Sequence, residues 1–138
     1  MSANRFTLLL LTVLAIFCRQ SLAAFPMIFP DPIALNTNAV GDSGNDHIPH
    51  IVTDGKGHWV AIWDSNDTLG GTIGIDPDIL CARSENNGHS WTSPAPVNIN
   101  AASDGSGADA HPIIATDSLG TWIVVWNSTT NLGGVIGT

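Results

Sequence analysis

The sequence predicts an all-β fold assembled from repeated units of four short strands. Three observations predict it: a self-similarity at a spacing of 63 residues, apolar runs of strand length bounded by Gly, Asn, Asp and Ser, and no helical periodicity after the first 23 residues. Pro49, Asp54, Gly57, Trp59 and Trp63 recur 63 positions later as Pro112, Asp117, Gly120, Trp122 and Trp126. Leu69-Gly70-Gly71 and Ile73-Gly74 recur at the same spacing as Leu132-Gly133-Gly134 and Ile136-Gly137. Upstream, 34–39 resembles 96–101 at a spacing of 62, so one residue is inserted between Asp42 and Asp109.

Residues 1–23 read as an export signal. Arg5 precedes the apolar run Phe6 to Phe17, and Ser21-Leu22-Ala23-Ala24 supplies the small residues of a cleavage site after Ala23. A run of twelve residues is too short for a span, which needs about 20, so a cleaved leader and a secreted, unanchored product are expected. Phe17 and Arg19 around Cys18 argue against lipidation there. Removing the leader leaves Lys56 and Arg83 against twelve acidic residues. Such a surface repels phosphate backbones and anionic lipid, which argues against nucleic acid and membrane as partners. Only Cys81 remains, in the apolar run Ile79 to Ala82. It reads as a buried, unreactive thiol, so the fold must rest on a hydrophobic core.

After a lead-in at 24–33, the first unit spans 34–97 and the second 98–138. The Ala34 region is a candidate lead-in strand. Ile48 to Thr53 is the first strand proper. Trp59 to Trp63 is the second, with Trp59, Ala61 and Trp63 on one face and Val60 and Ile62 on the other, as a strand covered on both sides requires. Ile79 to Arg83 is the third, and Trp91 to Val97, broken by Pro94 and Pro96, is a fourth at an edge. Four short strands per unit, repeated, is the pattern of propeller blades. The second unit reaches Thr138 before its counterpart of Ile79 to Trp91, so the natural polypeptide is expected to continue.

Between the third and fourth strands lies Ser84-Glu85-Asn86-Asn87-Gly88-His89-Ser90-Trp91. It resembles the Asp-box, or bacterial neuraminidase repeat, of pattern Ser/Thr-x-Asp-x-Gly-x-Thr/Ser-Trp/Phe. Ser84 and Asn86 are suited to accept turn amides, Gly88 to supply a positive φ, and Trp91 to bury the turn against the sheet, with Ser90 completing the motif. Asn86 stands where the pattern has Asp, keeping the acceptor oxygen without the charge. The resemblance, covering 34 to the end, implies sialidase-like β-propeller blades, incomplete in this chain, with the Asp-box at the blade periphery.

That family's catalysis uses three arginines on the substrate carboxylate, a tyrosine nucleophile paired with a glutamate, and an aspartate acid/base. After the leader this sequence has Arg83, Glu85 and no tyrosine, so no catalytic residues are assigned. Three roles follow. The first is a noncatalytic extracellular propeller that binds a glycan or protein partner. The second is the N-terminal part of an exo-α-sialidase-type glycoside hydrolase with catalytic residues beyond Thr138. The third is a structural repeat in a surface protein. No cofactor or metal site is assigned. Asp46, His47 and His50 read as loop and strand-edge polar residues, because Ala110 and Ile113 replace the two histidines in the second unit. The stretch Asp104 to Asp109 has a distant likeness to calcium-binding Gly-Gly-x-Gly-x-Asp turns. It reads as a solvated acidic loop, with calcium the alternative. The tryptophans read as core rather than sugar platforms. Asn66-Asp67-Thr68 and Asn127-Ser128-Thr129 have the form of glycosylation acceptors.

Overall fold

The computed structural model describes residues 33–131. The expected leader and lead-in, and the end of the second unit from 132 onward, lie outside them. The described residues form an all-β structure without a helix. β1 (Asp46–Thr53), β2 (Trp59–Ser65), β3 (Asp78–Ser84) and β4 (Ala95–Pro96) make one antiparallel sheet in that order. β5 (Asp109–Thr116) and β6 (Trp122–Ser128) make a second antiparallel pair.

The 63-residue repeat is visible atom by atom in the hairpin turns. After β1, Asp54 Oδ1 accepts the amides of Lys56 (2.7 Å) and His58 (3.2 Å), while Thr53 Oγ1 donates to His58 O (2.9 Å). After β5, Asp117 Oδ1 accepts the amides of Leu119 (2.7 Å) and Thr121 (3.0 Å), and Thr116 Oγ1 donates to Thr121 O (2.8 Å). Thr-Asp at the end of a strand closes the turn because both side chains bond the backbone they precede. Both first strands also carry a bulge at the same place, between His47 and His50 in β1 and between Ala110 and Ile113 in β5. Each bulge holds a residue of positive φ, Ile48 at 48° and His111 at 58°.

Two expectations are corrected. The 34–39 segment does not form a strand but a turn, in which Asn36 O accepts Ala39 N and Asn38 O accepts Gly41 N. Asn98 and Asn100 build the same turn in the second unit. The asparagine side chains meanwhile hold these turns to aspartates, Asn36 to Asp42 and Asp46, Asn38 to Asp67, Asn98 to Asp78 and Asn100 to Asp104. The fourth strand is only Ala95–Pro96, because Pro94 and Pro96 have no N–H to extend it. Upstream of it, Thr92 N donates to Arg83 O and Thr92 Oγ1 accepts Arg83 N, continuing the pairing without a regular ladder.

β2 is covered on both faces. One face packs Ala61, Trp63, Leu80 and Ala82, with Leu35, Leu69, Ile73 and Trp91 closing around them. The other face bears Val60 and Ile62 and looks onto β5 and β6, whose Ile114, Trp122 and Val124 share a gap with it. β5 lies against β1, β2 and β3. Because Val124 is the counterpart of Ala61 and Val125 that of Ile62, the second unit sits on the first head to tail, opposite faces meeting. The consequence appears in exposure: Ile62 is 0% exposed, whereas Val125 is 56% exposed beside Ile113 and Ile123.

Candidate functional site

Strand pairing divides the polar residues between two ends. Trp59 pairs with Ser84 and with Thr53, so the first hairpin turn and the turn that begins at Ser84 share one end; Ser65 pairs with Asp46 and Asp78, which mark the other.

At the first end, Ser84 Oγ accepts the amides of Asn86 (3.3 Å) and Gly88 (2.9 Å) and donates to Asn86 Oδ1 (3.0 Å). Asn86 Oδ1 in turn accepts Ser90 N (2.9 Å), and its Nδ2 donates to Ser90 Oγ (2.8 Å). Gly88 has φ +81°, and Trp91 donates Nε1–H to Gly88 O (3.2 Å) while its ring, half-buried, joins the core face. Asn87 N reaches Gly57 O (2.9 Å), tying this turn to the first hairpin. Arg83 and Glu85 are exposed.

Between the two sheets at this end is a cleft of about 550 Å³. Apolar Val60, Ile62 and Ile114 floor it, Trp59 and Trp122 flank it, and Arg83 and Glu85 stand among its lining residues. Trp59 Nε1 is shut off from solvent and has no acceptor. Only Trp63 of the tryptophans is fully core, at 5% exposed; the others are half-buried. Cys81 also lines the cleft, half-buried, and burial pushes its thiol up from the ordinary value.

The opposite end gathers aspartates. In the first unit Asp76 lies in the β2–β3 connection and Asp78 opens β3; in the second Asp104 lies on the approach to β5 and Asp109 opens that strand. Asp76, Asp78 and Asp104 each present an oxygen within 4.8 Å of the others, the sole group of three or more acidic, histidine or cysteine ligands so arranged among the described residues. Backbone bonds across the junction fix the approach: Asp109 N to Pro77 O (2.7 Å) and Gly74 N to Ala101 O (3.0 Å). Asn98 donates Nδ2–H to Asp78 Oδ1 (2.7 Å) and accepts Ile79 N; Asn100 donates to Asp104 Oδ2 (2.9 Å). Desolvation first, then the neighbouring charges of Asp104, Asp76 and Asp109, raises the Asp78 carboxyl to about 6, and desolvation raises Asp104 too.

The histidines near Asp46 are not part of this group. Asp46 accepts Trp63 Nε1–H (3.0 Å) on one oxygen and Asn36 Nδ2–H (2.9 Å) on the other, and His47 Nδ1 lies 3.7 Å from Asp64 Oδ2. Sequence reasoning singled out Asp104 to Asp109 but missed Asp76 and Asp78. Their repeat counterparts would fall past Thr138, so the internal comparison could not mark them.

The fold and these two ends define a repeated antiparallel β protein with an apolar cleft and an acidic junction. No family model matches the chain, and neither a curated protein nor a solved structure matches it.

Proposed function

We propose that this chain is a run of sialidase-like propeller blades from a secreted, noncatalytic protein that binds a glycan through the cleft between consecutive blades. The observation that carries the reading is the head-to-tail packing of two units with the same hairpin chemistry, since stacking of one face on the opposite face of the next is how blades assemble. The Asp-box hydrogen bonds around Ser84 and Asn86 support the family resemblance. The cleft suits a sugar: its volume lies within the range of small-ligand sites, about 300–1,000 Å³, and two indole rings flank it beside a guanidinium and a carboxylate. A noncatalytic role follows from residue types. Arg83 alone is no carboxylate clamp, and no tyrosine stands ready as nucleophile.

The test is a pair of measurements on the full chain. A fluorogenic sialoside is expected to show no turnover, and sialylated and neutral oligosaccharides are titrated while indole fluorescence is followed. Saturable quenching lost in Trp122→Ala is the expected result. Turnover abolished by Arg83→Ala would overturn the noncatalytic reading, and the absence of saturable quenching by any of these oligosaccharides would overturn the binding role.

A further inference from the structure

We infer that the acidic junction between the two units is a calcium site, in which Asp76, Asp78 and Asp104 bind one Ca²⁺ and Asp109 closes it from β5. Calcium takes oxygen ligands at about 2.3–2.6 Å, so two oxygens on opposite sides of the ion lie about 4.6–5.2 Å apart. The three carboxylates, each offering an oxygen within 4.8 Å of the others, fall inside the span that the ligands of one such ion can have.

A second observation points to a ligand independently of the clustering. Asp78 is 0% exposed and Asp109 1% exposed, yet Asp78 Oδ2 and Asp109 Oδ1 have no hydrogen-bond partner. Both oxygens of Asp76 and Oδ1 of Asp104 are likewise shut off and unpartnered among the described residues, so each of the three clustered carboxylates carries such an oxygen, with Asp109 near enough for its charge to act on Asp78. Buried charge is tolerated when it is paired or coordinates a metal. No cation pairs with them among the described residues. Lys56 donates to Ser118 O, in the turns at the opposite end, and Arg83 pairs in register with Val60, next to the Asp-box. The free oxygens are also held in place from behind, by Asn98 on Asp78 and Asn100 on Asp104, as supporting bonds hold metal ligands.

The donor set selects the ion. With only oxygens it is unsuited to zinc, which favours nitrogen and sulfur. Several carboxylates in one cage suit calcium better than magnesium, which keeps most of its water. The matching loop of the first unit is not a second site, because Asp42 and Asp46 bond Asn36 and Trp63 instead. The site exists only where the β2–β3 connection of one unit meets the approach loop of the next, so the ion would clamp consecutive units together.

The full chain, stripped with EDTA and monitored by circular dichroism, is titrated with calcium chloride in a calorimeter. One ion per chain is expected, with a dissociation constant of about 10⁻⁵–10⁻³ M, magnesium binding about tenfold more weakly or worse. Calcium raises the melting temperature, or induces the strand signal where EDTA abolishes it. Asp78→Asn and Asp104→Asn each weaken calcium binding by at least about tenfold. Neither lowers the melting temperature in EDTA, since each removes a repelling charge; aspartates with a merely structural role would lower it. Asp42→Asn leaves calcium binding unchanged. No saturable heat up to about 10 mM calcium, binding that survives both cluster substitutions, or equal weakening by Asp42→Asn would each overturn the proposal. No sugar enters the experiment, so its outcome is separate from that of the glycan reading.

Discussion

Gly88 shows how one backbone angle supports a turn. Its φ of +81° lies where an L side chain is strained, while a Cβ added there would meet nothing closer than Trp91 Cζ2 at 3.9 Å, an ordinary contact. The penalty for Gly88→Ala is therefore conformational rather than steric, about 1–2 kcal/mol, and chemical denaturation of the full chain measures it. A loss well beyond that range would mean that the Ser84 to Trp91 turn is tied to the core more tightly than Trp91 alone implies. At this scale the sequence was informative wherever a residue acts on its own neighbours. Ser84, Asn86 and Gly88 bond within a few positions, so their spacing announces them. Asp78 was not legible, because its character comes from Asn98, Asp104 and Asp109, brought to it from the next unit by the packing of β5.

Among the elements, β1 and β5 share an irregularity that period-two alternation cannot reveal. Each places an ordinary residue at positive φ within its bulge, and in β1 that residue is the β-branched Ile48, at 47% exposed. Since Asn tolerates this conformation better and little burial is lost, Ile48→Asn is expected to stabilise the chain by about 1 kcal/mol. A fall in the denaturation midpoint would show that Ile48 contributes packing that outweighs its strain. The sequence located β1, β2 and β3 to within two residues at each end, since alternation and β-branched residues mark them. It overextended the fourth strand, and it read 34–39 as extended where Asn36 and Asn38 instead bond the backbone ahead of them. The first error comes from the missing N–H of Pro94 and Pro96, and the second from bonds of Asn36 and Asn38 to Asp46 and Asp67, which a local pattern does not show.

At the scale of the molecule, the second unit repeats the surface of the first without its cover among the described residues. Ile113, Ile123 and Val125 are 57%, 61% and 56% exposed, on the face equivalent to the one that carries Val60 and Ile62 against β5 and β6. An apolar patch of this kind seeks a partner, and a further unit of the same design fits it. The full chain is expected to associate as concentration rises. Ile123→Lys combined with Val125→Lys should suppress that association at little cost in stability, read by light scattering and melting temperature together. Association unchanged by the two lysines would place the adhesive surface elsewhere. The repeat itself was plain in the sequence, but which face meets which was not, because both faces of β2 and β6 are apolar.

The seat of Cys81 gives this architecture an internal clock. Its sulfur lines the gap between the sheets and is held in the protonated, slow-reacting form by burial. A cleft that admits a sugar also admits a small maleimide, so alkylation of Cys81 should be slowed by its raised thiol pKa and slowed further by an oligosaccharide held in the cleft. The reaction half-time then becomes a direct reading of cleft occupancy, without any label having to be introduced.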